Sequence, residues 1–164
     1  MWSILSAAID ELKMDVTIRK ATAGDVGRLA ELFDAYRVFY GQPSDPALAK
    51  DFIAERLSQA ESVIFCACTP DNRCLGFAQL YPSFSSVSAK RIWILNDLFV
   101  TETARGLGIG TQLLKEIKSF GIETQSKSIL VETTTNNIGA QKLYQSSGYQ
   151  RVNERVFYEL PNGQ

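Results

Sequence analysis

The residues best suited to chemistry are Arg105-Gly106-Leu107-Gly108-Ile109-Gly110-Thr111, where glycine takes every second position behind an arginine. Without a Cβ, a glycine backbone adopts positive φ and lets a ligand come close. Successive N–H groups can then turn into one concavity at a helix start, whose first-turn donors are unpaired and whose dipole favours an anion. Arg105 adds positive charge at the rim. The chemistry is phosphate binding, and spacing excludes two of its forms. A P-loop needs Lys and then Ser or Thr after its last glycine, whereas Gly110 is followed by Thr111-Gln112. A dinucleotide fingerprint needs Gly-x-Gly-x-x-Gly with an acidic residue roughly 20 positions on, and Gly106, Gly108 and Gly110 lack that spacing. The plainer alternative is a tight strand-to-helix turn with glycines for packing.

A second group begins about 30 residues later, at Asn137-Ile138-Gly139-Ala140-Gln141-Lys142-Leu143-Tyr144, and closes on Ser147-Gly148-Tyr149. Ala140, Leu143, Tyr144 and Ser147 share one helical face, with Asn137 (or Asn136) as the cap and Gly148 as the stop. A capping Asn and a core Tyr would explain these residues without chemistry. Two carboxylates, Asp97 and Glu132, fall in apolar stretches. On a buried strand Asp97 is costly unless paired, so it is either functional or bonded to an arginine or to backbone. Glu132 carries the same ambiguity. The chain contains no histidine, so any acid–base work falls to carboxylate, tyrosine or water.

These residues need elements to hold them. Ile92 to Val100 is a near-continuous apolar run, as a strand covered on both faces requires. A helix from Gly108 to about Glu123 buries Ile109, Leu113, Leu114, Ile117 and Phe120. Upstream, Met14 to Arg19 alternates as a first strand. Thr22-Ala-Gly-Asp25 resembles a capping box for a helix that turns Val26, Leu29, Leu32, Phe33 and Tyr36 inward. Ser44-Asp45-Pro46 starts another helix, with Phe52, Ile53 and Leu57 as its stripe. Ser62–Thr69 and Cys74–Tyr81 form a hairpin, and Pro82–Ala89 a serine-rich loop. Ser128–Thr133 is a further strand, and Gln150–Val152 with Arg155–Leu160 a terminal hairpin. Tyr36, Phe39 and Tyr40 suit a core and helix-end role, or an aromatic wall for a substrate. Trp93 reads as packing or interface.

At 164 residues with 17 basic and 18 acidic side chains, the chain is long enough for one domain with a real core. It lacks the positive footprint of a nucleic-acid binder. No apolar stretch reaches the length of a membrane span, and the first residues lack the pattern of a signal peptide. Residues 1–13 read as an extension and 14–164 as the domain. Cys66, Cys68 and Cys74 are odd in number and unaccompanied by histidine. A zinc site would need a fourth ligand that the sequence does not offer, so no metal is expected and reduced thiols of a cytoplasmic protein fit better.

Arg-x-x-Gly-x-Gly after a strand resembles the pyrophosphate loop of the GNAT-type N-acetyltransferases. Asn-x-x-Ala-x-x-Leu-Tyr-x-x-x-Gly-Tyr resembles the same superfamily's later segment. The similarity covers roughly residues 16–160 in element order. It implies a single α/β (α+β) domain with a mixed, mostly antiparallel sheet of about seven strands flanked by about four helices. It also implies acetyl-CoA as cosubstrate. The diphosphate would sit on the amides of Gly106 to Thr111 beside Arg105, and the pantetheine arm along the backbone of Leu98, Phe99 and Val100, between two diverging strands. Asn137 would bind that arm near Ala140, and Tyr144 would protonate the leaving thiolate. Asp97, Glu132 or a water would take the proton of the amine.

Leu95-Asn96-Asp97-Leu98-Phe99-Val100 and Ile18-Arg19-Lys20-Ala21-Thr22 look most like the diamine and polyamine acetyltransferase branch. That branch carries a glutamate where this chain has Asn96, which tilts the acceptor from a long polyamine towards a small amine or amino-acid-like molecule held by Asn96, Tyr36 and Tyr40. Transfer to a protein lysine or N-terminus is the alternative within the enzyme class, and a non-catalytic acyl-CoA-binding module the alternative outside it. A homodimer follows from fold analogy, through sheet edges.

Overall fold

The computed structural model describes residues 15–154 and 156–163. The extension expected at 1–13, and Met14, lie outside the described residues. Two compact units are present, one ending at Glu132 and one beginning at Thr133. The first holds a sheet in the order β1 (Thr17–Lys20), β2 (Val63–Cys68), β3 (Cys74–Ser85), β4 (Lys90–Val100), β5 (Ile129–Val131). Neighbours are antiparallel except β4 and β5, which are parallel.

Each face of the sheet has its own helical cover. Helices α1 (Val26–Phe39) and α2 (Pro46–Ser58) pack on one side, where Leu29, Leu32, Phe33 and Ile53 join Ile64, Phe77 and Phe99 in a buried cluster. Helix α3 (Ile109–Glu123) covers the other. There Phe120 meets Phe65 at 5.4 Å and Trp93 at 4.9 Å between ring centroids. Leu113 and Ile117 are fully buried, and each such side chain contributes about 1.5–3 kcal/mol. That outweighs the few tenths that separate helix propensities, so the apolar stripe decides where α3 lies. The Trp93 indole N–H donates to Thr124 Oγ1 at 2.9 Å, a packing role as expected.

Helix starts follow the sequence closely. The Thr22 N–H donates to the Asp25 carboxylate at 2.8 Å, and a 3₁₀ turn (Ala23–Asp25) leads into α1. The Asp45 carboxylate caps α2 by accepting the Leu48 N–H at 3.0 Å, with Pro46 as the first helical residue. Asp25 is itself a junction: Arg19 grips it at 2.7 and 2.8 Å and Arg28 at 3.0 Å. The Arg19 guanidinium holds this buried carboxyl well below the usual carboxylate range, against the opposing effect of burial.

Three expectations about strands are corrected. Pro82–Ser85 continue β3 instead of opening a loop, in register with Lys90–Trp93. β2 pairs with β3 only as far as Leu80, so the side of β3 where Pro82 lacks an N–H has no ladder to break. β5 spans Ile129–Val131, shorter than Ser128–Thr133, and leaves Glu132 outside the sheet. The terminal hairpin does not form: no strand occurs among the described residues after Val131, and Val156, Phe157, Tyr158 and Leu160 are exposed. Alternation supplies strand propensity, but an isolated hairpin with no face to bury is marginal. The sheet therefore has five strands where about seven were expected. No helix of the described residues is long and apolar enough to cross a membrane.

Candidate active site

β4 is the element that builds the site. Its register with β3 passes from Leu80↔Leu95 to Gln79↔Asp97, so Asn96 is an extra residue, a β-bulge. The bulge changes which face β4 presents. Before it, Trp93 packs on Phe120 of α3; after it, Phe99 lies with Phe77 and Tyr36 on the α1 side. It also coincides with the end of the β4–β5 ladder, whose last pair is Leu95↔Val131. Among the described residues, the edge of β4 that faced β5 is therefore left without a strand from Asn96 to Val100. Backbone groups on such an edge are ready to pair with an extended ligand.

Where β4 ends, the chain makes a 3₁₀ turn (Glu102–Ala104) and enters the glycine loop. Gly106 and Gly108 both have φ of +78°, and a Cβ built on either would meet nothing within 4 Å. Packing therefore does not demand these glycines, and the plainer reading as a tight packing turn loses its support. The backbone has turned left-handed beside open space. Gly108 is the N-cap of α3, and Gln112 N–H closes the first turn onto the Gly108 carbonyl at 3.0 Å. Donors ahead of it point out of the helix end. Arg105 is anchored by its Nε–H to the Val100 carbonyl at 3.1 Å, with its guanidinium 5.4 Å from the Phe39 ring and 5.8 Å from that of Phe99. Nearby in sequence, Thr101 Oγ1 is buried without a partner.

Tyr36 stands 6.2 Å from Phe99 and 4.9 Å from Tyr40, and Tyr40 lies 5.2 Å from Phe39, between ring centroids. Phe39 and Tyr40 are about half exposed, so this is a wall at the end of α1 beside β4; only Tyr36 leans into the core. Asp97 is 3% exposed and takes its hydrogen bonds from Gln79 Nε2 (2.7 Å) and Asn96 Nδ2 (3.1 Å), with Ser62 Oγ donating to Gln79 Oε1 at 2.8 Å. Two side-chain amides thus hold Asp97, where an arginine or backbone was the alternative to a functional role. Burial, and next the Asp97 charge, push the Tyr81 hydroxyl up to about 12. Gln79 and Ser62 escaped the sequence reading, although a glutamine inside the apolar run of β3 was the available signal. Glu132 is exposed, past the end of β5.

The second unit holds α4 (Ile138–Ser146). The Asn137 carboxamide oxygen accepts the Ala140 N–H at 3.1 Å, so the capping role is realised and the amide's NH2 end is not used by the cap. Gln141 Nε2 donates to the Thr134 and Thr135 carbonyls at 3.1 and 2.9 Å and fixes the turn before the helix. Gly148 has φ of +92°, the left-handed stop expected of it. Tyr144 and Tyr149 have ring centroids 5.6 Å apart. Burial, and next the neighbouring Tyr144, push the Tyr149 hydroxyl up to about 12.

Residues 29–149 match the sequence profile of the Acetyltransferase (GNAT) family. The chain belongs to that family. It is 43% identical over 145 residues to an uncharacterized N-acetyltransferase, YhfO, of Bacillus subtilis (strain 168), an alignment covering 88% of this chain and 97% of the relative. A probable acetyltransferase of Haemophilus influenzae (strain ATCC 51907 / DSM 11121 / KW20 / Rd) is 33% identical over 141 residues, 86% of this chain and 94% of its own. A crystal structure of a probable acetyltransferase superposes with a TM-score of 0.86 at 43% identity, covering 90% of this chain and 99% of that one. The fold is thus the GNAT fold, α+β, and the chain is an acetyltransferase. GNAT acetyltransferases use acetyl-CoA as cosubstrate, and the open glycine cradle at the start of α3 fits an anionic group of that kind.

Proposed function

We propose that this GNAT protein transfers acetyl directly from acetyl-CoA to the primary amine of a small molecule. The observation that carries the proposal is the free edge of β4 from Asn96 to Val100, which runs into the positive-φ loop at the N-terminus of α3. An extended arm on that edge, ending in a diphosphate on the loop, matches both features. Acetyl-CoA supplies the activated thioester. The amides of Gly106 to Thr111, with Arg105, hold the anionic end. Backbone groups of Leu98, Phe99 and Val100 align the arm as an added strand, and an N–H near Leu98 or Phe99 polarises the acetyl carbonyl. Asn137 and Ala140 belong to the arm's binding segment, and Tyr144 gives the departing thiolate its proton. These last assignments rest on the sequence pattern of α4.

Tyr36, Tyr40 and Asn96 are assigned to the acceptor. The aromatic wall and an uncharged amide at the bulge suit a compact amine or an amino-acid-like molecule, where a polycation would call for carboxylates. Asp97 is the better proton acceptor of the two carboxylates: its oxygens are oriented by two amides, whereas Glu132 lies exposed. Free thiols in β2 and β3 support a cytoplasmic setting, and a homodimer is assigned by fold analogy alone.

The test is thiol release from acetyl-CoA against amines, amino acids and lysine peptides, with Tyr144→Phe alongside. Turnover with a small amine, strongly reduced in the variant, is the expected result. Turnover with peptides alone would replace the acceptor assignment. Tight acetyl-CoA binding without turnover on any acceptor would favour a binding module.

A further inference from the structure

Cys66, Cys68 and Cys74 take no part in the proposed reaction, yet the fold gathers them. Alternate positions on β2 put Cys66 and Cys68 on one face, and the β2–β3 register sets Cys74 opposite Cys68. The turn between them is fixed by its own bonds: Thr69 N–H to the Arg73 carbonyl at 3.0 Å, Asn72 N–H to the Thr69 carbonyl at 2.8 Å, and Arg73 N–H to Thr69 Oγ1 at 3.1 Å. All three sulfurs fall within 4.8 Å of one another, with Cys68 and Cys74 3.3 Å apart. We infer that this triangle is a binding site for one soft, low-coordinate cation, with monovalent copper the best match.

An ion about 2.3 Å from each of three sulfurs in a plane spaces them about 4 Å apart, a value within the range already present. The donor set is all sulfur, which selects soft ions over Mg²⁺, Ca²⁺ or Mn²⁺. Zinc favours four ligands; among the described residues no fourth Cys, Asp or Glu joins the group, and the chain has no histidine. The carboxylate on the turn before α1, Asp25, is already held by Arg19, Arg28 and Thr22. Cys66 and Cys68 are 0% and 5% exposed, while Cys74 is only partly covered, so the site is dry with one approachable corner. Loading exchanges three S–H protons, released to solvent, for one cation bound by three thiolates. The remaining negative charge has Arg19 beside it, opposite Cys66 in the β1–β2 register, and Arg28 on the same junction.

Anaerobic titration of the reduced full chain with Cu(I), against a chromophoric Cu(I) chelator, tests this. The expected result is capture of one equivalent, weakened by more than about tenfold in Cys74→Ser, with X-ray absorption showing only sulfur neighbours. Cys74 is the least buried of the three, and circular dichroism confirms that its variant is folded; Cys66→Ser and Cys68→Ser extend the series where they fold. Failure of the wild type to take copper from the chelator, equal capture by folded Cys74→Ser, or nitrogen and oxygen neighbours would each overturn the site. Acetyl transfer by the metal-free protein is a separate readout, so neither result decides the other.

Discussion

Two polar regions of this protein stand in contrast. At the junction of β1 and α1, Asp25 receives Arg19, Arg28 and the Thr22 N–H, so both oxygens of its carboxylate are answered by other parts of the chain, and only Arg28 Nε is buried there without a partner. At the junction of β4 and α3, two left-handed glycines border open space, the donors of the helix start are turned outward, and a threonine hydroxyl is buried without a partner. Both junctions place charge at the start of a helix. One is closed and the other is open. A satisfied network holds the fold, whereas an unsatisfied one, preserved at a cost in backbone freedom, is where a ligand belongs. Asp97 lies between the extremes, buried and bonded, but by neutral amides instead of a guanidinium.

Substitutions should separate the two kinds of region. The largest effect is expected at the proposed acid: Tyr144→Phe lowers kcat by roughly 10²–10⁴, with the KM for acetyl-CoA changed far less, as steady-state kinetics would show. Next is Gly108→Val. A β-branched residue at φ near +78° costs about 1–2 kcal/mol and fills the open side of the cradle, so acetyl-CoA binding by calorimetry weakens about tenfold or more, while the protein still melts cooperatively. A variant that binds normally would return the loop to a packing role.

Asp25→Asn should do the reverse, lowering stability by about 3 kcal/mol in urea melts and leaving kcat at permissive temperature unchanged. It should also flatten the acid limb of stability. Because the folded carboxyl is held below its unfolded value, its pairing contributes in full above about pH 4 and is lost as the pH falls through that value towards the folded one. The wild type therefore loses stability in acid that the variant never had. The smallest effect is Arg105→Gln. Arg105 is exposed and partly occupied by the Val100 carbonyl, so acetyl-CoA KM should rise by about two- to fivefold, and less at high salt.

What the sequence made legible was local. The glycine loop, the Asp45 and Asn137 caps, the Gly148 stop and the apolar stripes of α1 and α3 all depend on spacings within a turn or two, and each is where its residues said it would be. What was not legible depends on a partner elsewhere in the chain. Nothing near Asn96 announces a bulge, because a bulge is a mismatch between two strands. Pro82 argues against a strand until it is known that β2 stops at Leu80. The residues from Gln150 to Leu160 alternate as a hairpin should, but alternation cannot state whether a face awaits them. The cysteines read as reduced thiols on one hairpin, and how near their sulfurs come is set by the β2–β3 register.

The bulge at Asn96 acts on the chain as a phase shifter acts on a wave. Upstream of it, odd-numbered residues of β4 are tuned to the α3 face; downstream, the same parity is tuned to α1 and α2. Deleting that one residue would leave Leu95 opposite Leu80 and Asp97 opposite Gln79 in unbroken alternation, so both flanks would keep their faces and only the bulge would be lost. This strand should therefore absorb the loss of Asn96 far better than the loss of any other residue, because a deletion elsewhere would turn one flank's side chains to the opposite face.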